Sequence, residues 1–332
     1  MRISVIIPTY NRADTLRKTL RAYAEQSGDH QMLEVLVVDD GSKDETPSVM
    51  EELARCFPVP LICLRQENRG LAAARNHALR EARGDLVLFG DDDIIPSDRM
   101  VAEHVTWHQQ HPEPEVGVLG LVRCAPEVHP TPFTVWASLY GPQFNFGHFR
   151  RGETLNFWHA YFCNTSVKAG FLREHGSFSE AFRQYGWEDL ELSYRLCGHG
   201  YRLLYNPSAL GYHYKFETFE QAIRRVEQMY RSWPVFAQTE AGRCFLDLAL
   251  QRQQARSRKT RAIKAFLWPL KAGVMRLLRP MLDSYIPLPG RLYDMAFYYY
   301  VTPFGSFVTR TEGPCSSGGP LMPARPASRR AP

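Results

Sequence analysis

The first ninety residues alternate between two hydrophobic periods, and this constrains the fold more than any other feature of the chain. Ile3–Ile7, Leu33–Val38, Leu61–Leu64 and Leu86–Phe89 are short runs rich in Val, Ile and Leu, the pattern of strands buried on both faces. Between them, apolar residues recur every three or four positions. Leu16, Leu20 and Tyr23/Ala24 form one such series. Met50, Leu53 and Ala54 form the next, after Thr46 as N-cap and Pro47 as first helical residue. Leu71, Ala74, Ala78 and Ala82 form a third, closed by Gly84 as C-cap. This order predicts an α/β fold, a mostly parallel sheet flanked by helices with right-handed crossovers. Ligands of such sheets sit at the carboxyl ends of the strands.

The polar residues gather at those ends. Pro8-Thr9-Tyr10-Asn11-Arg12 follows the first strand and Asp39-Asp40-Gly41-Ser42 the second. Glu67-Asn68-Arg69-Gly70 follows the third and Asp91-Asp92-Asp93 the fourth. Adjacent carboxylates repel one another unless a cation or hydrogen-bond donors compensate. Alternate residues of such a loop can face one side, which groups Asp91 with Asp93, and hard oxygen ligands select Mg²⁺ or Mn²⁺. Neither G-x-G-x-x-G nor G-x-x-x-x-G-K-[ST] occurs, so phosphate charge has to be met without the common glycine-rich cradles. A carboxylate at Asp39-Asp40 can accept from a nucleobase imide or a ribose hydroxyl. The Tyr10 ring can stack on a base, and Arg75 can meet a diphosphate. Each has a plainer reading too: a turn, a packed ring, a solvent-facing arginine.

Residues 95–185 are aromatic-rich, with Trp107, Trp136, Trp158, Tyr161 and Phe162 among them. Gly186-Trp187-Glu188-Asp189 then opens a helical stretch carrying Leu192 and Leu196. A carboxylate placed there can take a proton from an attacking hydroxyl, and an indole suits the apolar face of a sugar. Acids at a helix start are also what the helix dipole favours. Tyr201–Tyr205 reads as another strand. His213 is either an imidazole ligand for a Mn²⁺-like metal or a histidine packed between Tyr212 and Tyr214. Thr218 and Gln221 read as the capping box of a helix running through Tyr230.

Composition narrows the class. The 332 residues are 44% hydrophobic and 23% charged, a globular balance. No run of 18 charge-free apolar residues occurs, so the sequence offers no membrane-spanning helix, and the apolar run before Pro8 is too short for a signal-peptide core. Seven cysteines, never spaced C-x-x-C, argue against a disulfide framework or structural zinc and fit a cytoplasmic location. The net charge of +5 is unevenly spread, because residues 251–332 hold 14 Lys and Arg against 3 Asp and Glu. The remaining body is therefore acidic, which excludes nucleic acid as its expected partner.

Taken in order, VIIPTYNR (5–12), VVDDGSKDET (37–46), ENRGLAAARNHAL (67–79), LFGDDDIIP (88–96), YGWEDLELSYRL (185–196) and YNPSALGYHY (205–214) make the chain resemble the inverting family-2 glycosyltransferases with a GT-A fold, over roughly residues 3–235. The resemblance implies a nucleotide-sugar donor, UDP-linked, and a glycan or lipid-linked acceptor. It implies that Pro8, Thr9, Tyr10, Arg12, Asp40, Arg75, Asp91 and Asp92 line the nucleotide-sugar site. Asp91, Asp93 and His213 would hold the divalent metal, Mn²⁺ or Mg²⁺. Asp189 would be the general base, with Glu188 beside it and Trp187 and Trp158 at the acceptor. Two features depart from the family pattern. Cys163 precedes Asn164 where a Gly is frequent, and Gln228-Met-Tyr-Arg231-Ser-Trp233 holds one residue more than the Q-x-x-R-W of processive synthases, which predicts transfer of a single sugar. A sugar-phosphate nucleotidyltransferase, or an inactive relative that only binds nucleotide-sugar or glycan, would use many of the same parts.

The expected organisation is a GT-A domain over 1–235, with a nucleotide-binding half at 1–95 and an acceptor-binding, catalytic half at 96–235. A helical, basic amphipathic extension over 236–310 and a disordered tail over 311–332 follow. Ile263, Phe266, Leu267, Leu270, Val274, Leu277, Leu278 and Met281 fall on one face at helical spacing, flanked by Lys264, Lys271, Arg276 and Arg279. Such a helix suits either the anionic inner face of a cell membrane, through 256–282, or packing against the catalytic domain.

Overall fold

The computed structural model describes residues 1–26, 32–141, 143–254, 274–275 and 277–301. Strands β1 (Ile3–Thr9), β2 (Met32–Asp39), β3 (Leu61–Arg65) and β4 (Leu86–Gly90) form at the continuous apolar runs, with α1 (Ala13–Ala24), α2 (Thr46–Ala54) and α3 (Leu71–Glu81) between them. β1 pairs in parallel with β2 and β4, and β2 with β3. The runs are apolar throughout because alternate residues serve opposite faces. Val5, Ile7, Val35, Val37 and Leu88 pack with α1 and α2, whereas Ile6, Leu36, Val38, Val87 and Phe89 pack with α3 and the later helices.

Two expected helix ends differ. α2 includes Thr46, whose N–H donates to Asp44 Oδ1 at 3.0 Å, so the helix starts one residue before Pro47. α3 ends at Glu81, and Gly84 is no cap. It lets the chain pass close to β1, since a Cβ there would sit 2.6 Å from Ser4 N.

The second half comprises β5 (Ile94–Pro96), α4 (Met100–Gln110), β6 (Val116–Cys124), α5 (Pro132–Leu139), β7 (Thr154–Leu155), β8 (Asn164–Lys168), α6 (Ala169–His175), α7 (Glu188–Gly198), β9 (Arg202–His213) and α8 (Phe219–Arg231). The sheet runs β3-β2-β1-β4-β8-β6-β9-β5, with β7 against β9. β8 is antiparallel to β4 and β6, while β6 and β9 are parallel, so parallel pairs carry most of the ladder. The strand expected at 201–205 continues to His213, beyond a register break described below. The capping box of α8 is present, with Thr218 Oγ1 and Gln221 Oε1 each accepting from the other residue's backbone N–H.

The packed body extends past residue 235. α9 (Trp233–Gln238) and α10 (Glu240–Gln254) bury Phe236 and Phe245 against Trp187. Farther on, Met275, Leu282 and α11 (Gly290–Val301) join Phe133, Trp136 and Phe219 in one cluster on α5 and α8. The end of the amphipathic stretch therefore packs on the body, yet Leu277 remains 78% exposed. Residues 255–273 and 302–332, which hold the rest of that stretch and the tail, lie outside the described residues. Among the described residues no helix is long and apolar enough to cross a membrane, and the six cysteines are free.

Candidate active site

Four strand-end loops meet at one edge of the sheet, and their own hydrogen bonds lock them together. Asn11 N donates to Ser42 Oγ and Lys43 N to Asn11 Oδ1, each at 2.8 Å, which fastens the β1 loop to the β2 loop. Asp40 Oδ1 accepts from Gln66 Nε2 and Arg69 N, and its Oδ2 from Gly70 N, each at 2.8 Å. The carboxylate thus caps the positive end of α3, a charge–dipole arrangement that leaves little of Asp40 for a nucleoside. Thr9, also expected at the nucleoside, is buried and donates its hydroxyl to Asp92 Oδ2 at 2.8 Å. Pro8 lies within β1 beside Val38. Of the β1 loop, Tyr10 at 43% exposure and the half-exposed Arg12 side chain face open solvent at the rim.

α3 carries Ala72, Ala73, Ala74 and Ala78 inward, small side chains that let it lie close to the sheet. From that face Arg75 reaches beneath the site and is 1% exposed. Arg75 therefore faces carboxylates rather than solvent, on the side of the cleft where the nucleotide is expected. Its Nη1 lies 2.8 Å from Asp189 Oδ1 and 4.0 Å from Glu188 Oε1. Its Nη2 lies 3.1 Å from Asp91 Oδ1 and donates to Phe162 O at 2.7 Å. Burial opposes the guanidinium charge, but Asp189, Asp91 and Glu188 outweigh it and raise its pKa. One planar fork thereby joins the end of β4 to the start of α7.

The three aspartates after β4 turn three ways. Asp91 faces Arg75, Asp92 faces Thr9, and Asp93 faces His213 Nε2 at 3.6 Å and Arg12 Nη1 at 4.0 Å. Asp91 is pushed up to about 6, by burial and then by Asp93 and Asp189 against the pull of Arg75. Burial would raise Asp93 too, but His213 outweighs it and takes the group below its ordinary value, while burial and the Asp93 charge push Asp92 up. The cluster holds more negative charge than its arginines compensate, which suits a divalent cation bound by hard oxygens and one imidazole. Among the described residues no three His, Cys, Asp or Glu side chains converge tightly enough to hold an ion alone, so ligand oxygens would complete its shell.

Gly186 and Trp187 sit at φ +99° and +76°, a left-handed pair that turns the chain into α7. For Trp187 this conformation costs on the order of 1 kcal/mol. Burial of its indole offsets the cost: the ring stacks on Phe236 and packs on Trp233 and Phe245, and Nε1 donates to Met229 O at 2.8 Å. Trp187 is 5% exposed, so it is no acceptor platform, correcting the expectation. The Gln228–Trp233 segment that resembled Q-x-x-R-W is the wall it packs on. Trp158, part-buried beside Phe157, remains near the surface on the aromatic stretch.

The turn delivers Glu188 and Asp189 at the first positions of α7, where the dipole favours negative charge. Burial raises both pKa values; the Asp189 charge raises Glu188 further, while Arg75 and the Phe162 N–H pull Asp189 back. Asp189 holds the better partners, Arg75 and the Phe162 N–H at 3.1 Å, while Glu188 Oε2 has none among the described residues. Burial therefore favours a proton on Glu188, and Arg75 with the Phe162 N–H favours the charge on Asp189.

Two contributors lie in stretches the sequence singles out but carry no role readable from it. Asn76 exchanges hydrogen bonds with Phe178 N and O at 3.0 and 2.9 Å, fixing the loop before α7. Asn164 is wholly buried behind the aspartates. Their contacts, made across 102 residues for Asn76, define what they hold.

With this edge in view, the profile of glycosyl transferase family 2 matches residues 4–174, half of the chain. The chain belongs to glycosyl transferase family 2. It is 40% identical over 121 residues to the uncharacterized glycosyltransferase YfnE of Bacillus subtilis, covering 36% of this chain and 30% of that protein. It is 29% identical over 241 residues to the validoxylamine A glucosyltransferase of Streptomyces hygroscopicus subsp. jinggangensis, covering 66% of this chain and 57% of the relative. The matches thus span less than two thirds of these relatives' lengths. Among solved structures, the mannosyltransferase PcManGT from Pyrobaculum calidifontis, in complex with GDP-Man and Mn²⁺, superposes with a TM-score of 0.56 at 22% identity, covering 90% of this chain and 85% of that one. Staphylococcus aureus TarS 1–349 in complex with UDP-GlcNAc gives 0.54 at 20%, covering 92% and 91%. These neighbours share the GT-A fold.

Proposed function

We propose that this family-2 member moves one sugar from a nucleotide-sugar, UDP-linked, to a hydroxyl of a glycan or lipid-linked acceptor, with inversion at the anomeric carbon. The observation that carries the reading is the Arg75 fork, which holds a carboxylate at the start of α7 beside another at the end of β4. Relatives and neighbours named for sugar transfer, and one neighbour complexed with a UDP-sugar, support the donor class.

In this reading the acceptor hydroxyl gives its proton to Asp189 as its oxygen bonds to the anomeric carbon. The bond from that carbon to the diphosphate oxygen breaks on the opposite face, and the nucleoside diphosphate leaves with the electron pair. Arg75 keeps Asp189 ionised and aimed until the proton arrives. Glu188, protonated beside it, spares the site a further buried charge. Tyr10 offers its ring to the base, Arg12 its charge to the phosphates, and Trp158 a surface to the acceptor. A divalent cation held by Asp91, Asp93 and His213 would supply positive charge to the departing diphosphate. The PcManGT complex, which contains Mn²⁺, supports that assignment.

For location, we propose the cytoplasmic face of a membrane, reached through the basic stretch 256–282. Exposed Leu277, Tyr285 and Ile286 beside it support this reading.

Calorimetric titration of UDP, GDP and their sugars, with and without Mn²⁺, on wild type and Asp93→Ala tests the donor site. The expected result is one nucleotide that binds with metal and is lost in Asp93→Ala. No nucleotide binding under any metal condition would sink the proposal.

A further inference from the structure

β6 and β9 run side by side as Val116–Gly120 against Arg202–Asn206, then resume as Leu121–Cys124 against Leu210–His213. Pro207, Ser208 and Ala209 are the insert between the two stretches. An insert of odd length inverts which β9 side chains face each side of the sheet downstream. Without it, Leu210 would lie beside Cys124, and His213 would fall beyond the end of β6. The insert thus decides that His213 lies beside Asp93.

The side chain of Asn164 fills this break. Its Nδ2 donates to Leu121 O at 3.2 Å and to Ala209 O at 2.9 Å, the carbonyls on either side of the misregister. Gly120 leaves it room: a Cβ there would collide with both Ala209 O and Asn164 Nδ2. The amide is oriented from behind, since Asn164 Oδ1 lies 2.9 Å from His104 Nε2. A chain of bonds sets the direction. Lys168 Nζ can only donate, and it meets His108 Nδ1 at 3.2 Å; His108 Nε2 then donates to Ser166 Oγ at 2.9 Å. Ser166 donates to His104 Nδ1 at 2.8 Å, and His104 Nε2 to Asn164. Every step has one donor and one acceptor, so Nδ2, not Oδ1, must point at the two carbonyls.

We propose that Asn164 is a positioning residue for His213: its amide pins the β9 insert and so selects the register that sets the imidazole against Asp93. Replacing the amide removes a buried donor from Leu121 O and from Ala209 O, which favours slippage or collapse of the insert. The proposal rests on the reading of His213 as a metal ligand, but the place of the ring can be tested without metal.

In metal-free protein with ¹³C-labelled histidine, the His213 ring, assigned with His213→Ala, should show a cross-relaxation peak to Phe144, whose ring centroid lies 6.1 Å away. Asn164→Leu should lose that peak. It should also weaken Mn²⁺ binding in the presence of UDP by about 10-fold, as displaced supporting residues do at metal sites. The double variant should bind no more weakly than His213→Ala alone. If Asn164→Leu does not fold, His104→Leu, which removes the bond orienting the amide and the acceptor of Ser166 Oγ but leaves the Asn164 side chain in place, carries the same readouts. A folded variant that is less stable but keeps both the peak and Mn²⁺ affinity within about two-fold overturns the proposal. If His213→Ala leaves Mn²⁺ affinity unchanged, the ligand reading has failed instead, and the metal-free peak alone decides the positioning.

Discussion

Arg75 serves three carboxylates drawn from two distant stretches of chain, and its Nε has no partner among the described residues. Removing a buried charge from such a group leaves the others uncompensated, so Arg75→Met should destabilise the protein by about 3–5 kcal/mol in urea unfolding. Arg75→Lys should recover only part of this, because a point charge cannot reach Asp91, Asp189 and Phe162 O in one plane. Asp189→Asn should behave differently. It keeps the shape and the Phe162 contact but accepts no proton, so kcat should fall by about 10²–10⁴-fold while donor affinity measured by calorimetry stays near wild type. A matching loss of donor affinity would move Asp189 from base to binding residue.

The α4–β8 pairing is held by buried imidazoles that must stay neutral. His104 is taken down to about 4 by burial against a modest pull from Asn164, and His108 to about 2 by burial, then Lys168 and His104. Lys168 and His111 are the other titratable groups beside them. A depressed histidine binds fewer protons folded than unfolded, so its contribution is complete above about pH 6.5 and is lost as pH falls toward its folded value. For His104 the amount at stake is on the order of 3 kcal/mol. Urea midpoints should therefore fall from pH 7 to pH 4.5, and His104→Gln should flatten that slope. The α7 turn makes a second demand. Gly186 is left-handed, and a Cβ there would lie 2.5 Å from Met229 Cγ. Gly186→Ala should cost about 1–3 kcal/mol and lower kcat through displaced Asp189, read by thermal melts and turnover.

Across the whole molecule, charge is divided between an acidic body, with its carboxylate-rich edge, and a basic C-terminal stretch. Residues 274–275 and 277–301 pack Met275, Leu282, Tyr293 and Phe297 on α5 and α8, while Leu277, Tyr285 and Ile286 stay exposed. Sedimentation with phosphatidylserine-rich vesicles should carry the protein down at low salt and release it as salt rises. Reversing Lys264 and Lys271 to Glu should weaken the binding, and equal binding to neutral vesicles would contradict an electrostatic contact.

Much of this architecture was legible in the chain. β1 to β4 lie where the continuous apolar runs stand, because strands covered on both faces need apolar residues at every position. The polar loops after them mark the edge because strand ends are where backbone order stops and side chains are free to meet a ligand. Helix limits such as Gly84 are not legible in the chain, since close approach to β1 and a cap both call for glycine. Residue roles depended on neighbours far along the chain. Whether Arg75 faces solvent or three carboxylates, whether Trp187 is a platform or a wall, and what Asn164 holds are set by contacts across 114, 42 and 45 residues. Local periodicity encodes which face a side chain takes, so the sequence by itself determined β1 to β4, the start of β9, the helices α1 to α3, α7 and α8, and the functional edge. It carries no record of what lies opposite that face. Only the tertiary structure, by bringing α3, α7, α8 and β9 together, decided which carboxylate is paired, which indole is buried and which register brings His213 to Asp93.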